Sequence, residues 1–142
     1  MRAILELELP YPPSVNRYYG HGRGRVYVRK AGREYRESAR QALLEQAPHH
    51  EVISEHCHLV VSLLPRDRRR RDVDNCLKCL LDALTSAGVY ADDSLVTGLQ
   101  IYREREWDAA QEGMVDGVDP AGEGRIKITI YPERAFFEEC RA

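Results

Sequence analysis

Residues 58–64 (HLVVSLL) are almost continuously apolar, rich in Leu and Val, and stop at Pro65. So short an apolar run suits a strand buried on both faces better than a helix, and a proline that cannot donate to a ladder ends it. A central strand needs neighbours, and the alternations elsewhere provide them. Ala3, Leu5, Leu7 and Leu9 share one face against Glu6 and Glu8, with Pro10 as the stop. Leu95, Thr97, Leu99 and Ile101 alternate with Val96 and Gln100, and Ile126, Ile128 and Ile130 with Arg125, Lys127, Thr129 and Tyr131. Both have the period of a strand, and residues 26–28 read as a short further one.

Two helices complete the pattern. Tyr35, Ala39, Ala42, Leu43 and Gln46 fall on one stripe of a helix over about 31–46. Leu77, Leu80, Leu81 and Leu84 repeat at three and four, with Asp74 or Asn75 placed to cap the start and Gly88 to stop the helix. Asp82 on this helix reads as a surface charge. Strands and helices alternating around one core predict an α+β (mixed α/β) fold: a single domain over 1–142, with a mixed sheet of about five strands and two main helices. Strand order is not legible. Residues 11–25, broken by prolines and glycines, read as a loop without regular helix, and the acidic, Gly-containing stretch at about 107–124 as a surface loop that need not be ordered.

No apolar run approaches the roughly 20 residues of a membrane span, and the Leu/Glu alternation after Met1 is no signal peptide, so the expected location is cytoplasmic. Four cysteines in such a chain are expected as reduced thiols. Cys76 and Cys79 have the spacing of half a zinc site, with His56, Cys57 and His58 upstream. Cysteines inside a helix and histidines on a strand lack the knuckle turns that structural zinc takes, so buried thiols are the preferred reading.

The net charge of −2 hides a polarity: residues 1–71 carry +6 and residues 72–142 carry −8, with the change at the step from Arg71 to Asp72. At that step Arg66, Arg68, Arg69, Arg70 and Arg71 crowd ahead of Asp72, Asp74 and Asn75. Carboxylates two apart at a strand-to-helix corner can converge on a hard cation such as magnesium, while neighbouring arginines hold a phosphate backbone. The alternative is a solvated corner with Asp74 as an ordinary helix cap. Asp92 and Asp93 form a second acidic pair, either turn chemistry or part of the same site if adjacent strands bring them together. Lys78, four residues after Asp74, is either a surface ion-pair partner or a cation for charge developing on a phosphate. In the Gly-rich loop, Arg17, Tyr18, Tyr19, His21, Arg23, Arg25 and Tyr27 interleave basic and aromatic groups suited to phosphates and unpaired bases.

Three stretches, Leu9-Pro10-Tyr11-Pro12-Pro13-Ser14-Val15-Asn16-Arg17-Tyr18-Tyr19, then Arg68 to Asn75, then Ala87-Gly88-Val89-Tyr90-Ala91-Asp92-Asp93, closely resemble in sequence, order and spacing the RusA family of Holliday junction resolvases. The likeness runs over about 9–130, interrupted mainly at 107–124. It implies a homodimeric, magnesium-dependent endonuclease, with manganese as a substitute metal, that nicks four-way DNA junctions symmetrically in recombination and repair. It implies too that Asp72, Asp74 and Asp93 are the metal-binding catalytic set and Lys78 the functional lysine, with Arg71 and Asn75 in the same signature. Arg17, Arg23, Arg25, Arg68, Arg69, Arg70, Arg71 and Asn75 are the expected DNA contacts. The choice of a junction over other nucleic acids rests on the family alone. The rival class is a non-catalytic nucleic-acid-binding module using the same basic residues. The acidic insertion and negative net charge depart from what a junction binder leads one to expect, and the aromatic C-terminal segment 135–140 lies beyond the likeness, covering the core or joining an interface.

Overall fold

In the computed structural model, which describes residues 2–140 apart from the side chains at 136, 139 and 140, the elements follow in the order β1 (Leu5–Pro10), α1 (Val15–Tyr18), β2 (Tyr19–Gly22), β3 (Arg25–Val28), α2 (Lys30–Gln46), β4 (Cys57–Leu64), α3 (Leu77–Ala87), β5 (Val96–Arg103), β6 (Arg105–Asp108), β7 (Gly113–Asp116), β8 (Arg125–Pro132) and α4 (Glu133–Cys140). The main sheet has the order β1-β8-β4-β5. β8 runs antiparallel to both β1 and β4, whereas β4 and β5 are parallel.

Register aligns the apolar alternations of β1, β4 and β8 into one layer; on the edge strand β5 the expected face of Thr97 and Leu99 is instead exposed, and Ile101 is half-buried. Leu7 pairs with Ile128, and Ile128 in turn with Val61; Leu59 and Leu63 face Ile130 and Ile126. These side chains are buried and form one core with Tyr35, Ala39 and Leu43 of α2 and Cys79, Leu80, Ala83 and Leu84 of α3. Burying them is the main stabilisation of the fold, at about 1.5–3 kcal/mol for each large aliphatic side chain. β4 is covered on its other face too, as its unbroken apolar run requires. His58 meets the ring of Phe137 on α4 edge-on at 5.6 Å, and the Ser62 hydroxyl donates to Glu104 at 2.7 Å. The C-terminal segment therefore packs on the sheet through Phe137; the Phe136 and Cys140 side chains lie outside the described residues. Cys57, Cys76 and Cys79 are buried thiols. Among the described residues no helix is long and apolar enough to cross a membrane.

Four further expectations need correction. Val26 to Val28 does form a strand, but it pairs with β2 in a separate hairpin rather than joining the sheet. Residues 11–25 contain the one-turn helix α1, whose Arg17 and Tyr18 N–H groups both donate to the Ser14 carbonyl. The acidic stretch is ordered. β6 and β7 make a hairpin, and the buried Asp119 carboxylate accepts the Ala121 and Gly124 N–H groups, which hold its carboxyl below the usual range. Asp-Pro-Ala-Gly is a turn sequence with a mechanism, and composition had hidden it. Finally, α3 begins after a turn through Asp72–Leu77, and neither Asp74 nor Asn75 caps it by a side chain. Its stop is as expected, with Gly88 left-handed at φ 84°.

α1 crosses α2 at Gly32. A Cβ there would sit 2.7 Å from Val28 Cγ1 and 2.8 Å from the Tyr18 carbonyl oxygen. Gly→Ala in a helix normally stabilises by about 1 kcal/mol. At Gly32 the backbone clash wins, and Gly32→Ala is expected to destabilise by about 1–3 kcal/mol in urea unfolding; a stabilised variant would show that α1 is not seated on α2.

Candidate active site

Beyond Pro65 the chain turns a corner built from charge. Asp67 accepts the Arg69 N–H at 3.1 Å and pairs with Arg71 at 2.7 Å, Arg66 at 3.4 Å and Arg69 at 3.9 Å. That N–H, then the Arg71 guanidinium, holds the Asp67 carboxyl below its usual range. Arg71 also donates to the carbonyls of Asp67 and Arg69, and Arg103 at the end of β5 donates to the Arg71 carbonyl at 2.7 Å. Arg68 turns the other way, onto Glu106 at 3.0 Å and the Asp116 carbonyl at 3.2 Å, so the run is tied to the acidic hairpin. Arg70 alone in the run is exposed with no carboxylate partner among the described residues.

Arg17, Arg66, Arg69, Arg70 and Arg71 line a groove of about 580 Å³, together with Tyr11, Asn75 and the carboxylates of Glu34, Asp72 and Glu123. Burial, followed by the neighbouring Cys76, pushes the Tyr11 hydroxyl up to about 12. The expected DNA contacts therefore divide. Arg17, Arg69, Arg70, Arg71 and Asn75 share this groove; Arg68 is spent on the hairpin; and Arg23 and Arg25 stand exposed at the β2–β3 turn.

Asp72, Asp74 and Asp93 are all exposed. Neither Asp72 nor Asp74 forms an ion pair among the described residues. Asp92 accepts the Ser94 N–H at 3.3 Å, which lowers its carboxyl, while a hydrogen bond to Asp92 raises that of Asp93. β4 and β5 do pair, but in parallel, so the connection climbs the full length of α3. Asp72 and Asp74 precede that helix and Asp93 follows it, so the eleven residues of α3 lie between them in the chain. Asp93 is near enough to Tyr19, whose ring meets Lys78 at the start of α3, to help raise its hydroxyl. Among the described residues no three His, Cys, Asp or Glu side chains are grouped to hold a metal ion. The donors have the right chemistry for a hard divalent cation, being accessible carboxylates not neutralised by a neighbouring cation.

Lys78, in the first turn of α3, is exposed and lies 4.8 Å from the centre of the Tyr19 ring. Because Asp74 belongs to the preceding turn, the two do not share a helical face. Burial and the nearby Asp82 push the Tyr19 hydroxyl up to about 12. Tyr18, expected among the base-stacking groups, is fully buried instead, and its hydroxyl donates to Asp82. Arg36 donates to the same carboxylate at 2.7 and 2.8 Å and to the Tyr18 oxygen at 3.0 Å. Burial, then this bond to Asp82, drives the Tyr18 hydroxyl well above its ordinary range. Asp82 is thus not a bystander. It ties α1, α2 and α3 together beneath the Tyr19 and Lys78 pair. The sequence signal was faint: one carboxylate inside Leu80-Leu81-Asp82-Ala83-Leu84, where a half-buried charge needs a partner.

The model of the family described as Endodeoxyribonuclease RusA matches residues 10–131, from the end of β1 into β8. The chain belongs to the RusA family. It is 40% identical over 102 residues to the crossover junction endodeoxyribonuclease RusA of Escherichia coli (strain K12), covering 68% of this chain and 80% of that relative. The proteins of the same name from Shigella sonnei (strain Ss046) and Enterobacteria phage 82 are 39% and 38% identical over the same shares. The RusA match takes in the arginine corner, α3, Asp93 and the β6–β7 hairpin, and stops before α4.

Asp82→Ala should lower stability by about 1–2 kcal/mol, the loss of a charged hydrogen-bond network discounted for a carboxylate still one-third exposed. Urea unfolding measures it. Wild-type stability in this variant would return Asp82 to the role of a surface charge.

Proposed function

We propose that this chain is a crossover junction endodeoxyribonuclease, a metal-dependent enzyme that resolves four-way DNA junctions by paired symmetric nicks in recombination and repair. The observation that carries this reading is an exposed carboxylate, Asp72, on the wall of an arginine-lined groove, with Asp74 exposed two residues on and neither in an ion pair among the described residues, in a chain of the RusA family. A non-catalytic binding module would need the arginines but has no use for uncompensated carboxylates beside them, since these repel phosphate.

Arg17 and Arg70 hold the phosphates flanking the scissile bond and fix the strand against the α3 corner. Asp72, Asp74 and Asp93 are the ligands we assign to magnesium, and manganese suits the same oxygen donors. When bound, the ion polarises the scissile phosphate and lowers the pKa of an attacking water. Lys78 answers the negative charge that builds on the phosphate, with Tyr19 keeping its ammonium group at the helix start.

Asp93 follows α3 while Asp72 and Asp74 precede it, and among the described residues these carboxylates do not form a three-acid cluster, so we read the ligand set as open within one protomer. A homodimer closes it: a two-fold partner that sets its Asp93 end against the Asp72–Asp74 corner of the first completes both sites at once. The same symmetry matches two sites to the two strands that must be cut.

Asp72→Asn and Asp74→Asn keep side-chain shape and remove a charged ligand. Cleavage of an immobile junction in magnesium should fall on the order of 100-fold. Mobility shifts in calcium should show junction affinity unchanged or higher, and linear duplex of equal length should remain uncut. The reading fails if Asp74→Asn cuts at the wild-type rate, or if folded Asp72→Asn loses junction binding.

A further inference from the structure

A second basic surface lies where β3 passes into α2. Asn16, Arg17, Tyr27, Arg29, Lys30 and Arg33 line an open groove of about 530 Å³ with no carboxylate in its wall. How its guanidinium groups are held separates it from the carboxylate-paired arginines of the chain. Arg29 donates through Nε to the Tyr19 carbonyl at 3.0 Å, and Arg33 through Nη1 to the Val28 carbonyl at 2.8 Å. A neutral carbonyl orients a guanidinium without cancelling its charge. By contrast Arg36 is paired with Asp82, Arg40 with Glu37, Arg66, Arg69 and Arg71 with Asp67, Arg68 with Glu106, and Arg105 with Asp116. The acid facing this surface is Glu34, 3.7 Å from Lys30, and both side chains are so exposed, at 65% and 82%, that water screens the pair.

Fixed, uncompensated like charges disfavour the folded state by self-repulsion, and an incoming polyanion relieves it. Arg17 lines this groove and the arginine groove beside Asp72, so the two surfaces are continuous. Tyr27, about half exposed, adds an aromatic face suited to a sugar or base beside a phosphate.

We propose that the Arg29, Lys30 and Arg33 surface binds the phosphate backbone of a DNA arm that continues past Arg17 from the strand lying at Asp72 and Asp74. It thereby supplies phosphate contacts that the internally paired arginines of the 66–71 run do not. This rests on the reading of the chain as a DNA-cleaving enzyme and adds where an uncut arm is held. Because the charges are oriented by backbone carbonyls, the arm is met by a surface already in place, and little ordering cost opposes its contacts.

The test is junction affinity in calcium across a salt series, using the full chain. Lys30→Gln should flatten the dependence of log K on log salt by about one unit, and Arg29→Gln/Lys30→Gln/Arg33→Gln by about two to three. Arg29→Lys/Arg33→Lys, which keeps the charges, should keep the wild-type slope. Should the triple variant not fold, the highly exposed Lys30 decides through its single variant. Unchanged slopes in a protein that still binds the junction overturn this surface and leave the proposed activity standing. Wild-type protein that binds no junction overturns that activity and this surface with it. If the triple variant sediments as a monomer with the wild-type slope, the surface is a contact between copies and the proposal is wrong.

Discussion

Two parallel strands cannot be joined by a hairpin, because the chain must return to the starting end of the sheet before running the same way again. Between β4 and β5 that return is α3, and its length sets the map of acidic groups in this chain. The β4 exit becomes the arginine corner with Asp72 and Asp74, while the entry to β5 carries Asp92 and Asp93. Each end has what the other lacks. One has the groove and two unpaired carboxylates, the other a carboxyl made proton-retentive by its neighbour. A parallel crossover thus puts α3 between the two acidic segments in the chain.

Charge is sorted by partner rather than by count. A net charge of −2 looks unsuited to a densely anionic substrate, yet much of the acid is committed internally: Asp67 to three arginines, Asp82 to Arg36 and Tyr18, Asp116 to Arg105, and Asp119 to backbone N–H groups. The acidic hairpin likewise draws Arg68 out of the groove. What is left over for a ligand is a smaller set of cations, among them Arg17, Arg70, Arg29, Lys30 and Arg33 along adjoining surfaces, Arg23 and Arg25 at the β2–β3 turn, and Lys78. Local ion pairs thus shape the field that a phosphate backbone meets more than the sum over the sequence does.

Periodicity made the sheet and both long helices legible, because strand and helix faces are properties of consecutive residues. Leu5, Leu7 and Leu9, and Ile126, Ile128 and Ile130, are buried as their alternation requires, and Gly88 ends α3 as a left-handed cap. Pairings between distant segments were not legible. Nothing local told that β3 would leave the sheet for β2, that β4 and β5 would run parallel, or that Tyr18 would turn inward to Asp82, 64 residues on. The hairpin at Trp107 was masked by its acidic composition, although Asp108 and Asp119 both act as turn-forming acceptors. Motif residues stand out in a sequence because motifs are local; what each side chain meets in space is set by topology, as Tyr18 and Asp82 show.

The central claim is that the ligand set assigned to the metal is completed between two copies of the chain. Mixing Asp74→Asn with Asp93→Asn, after conditions that let dimers exchange, measures this directly. If sites are shared, each mixed dimer holds one site with both substitutions and one with neither, so the mixture should nick a four-way junction on one strand at about a quarter of the wild-type site activity, although each variant alone is inactive. If each protomer carries its own complete site, every site in the mixture has lost a ligand. A mixture of exchanged dimers no more active than the separate variants would contradict the account.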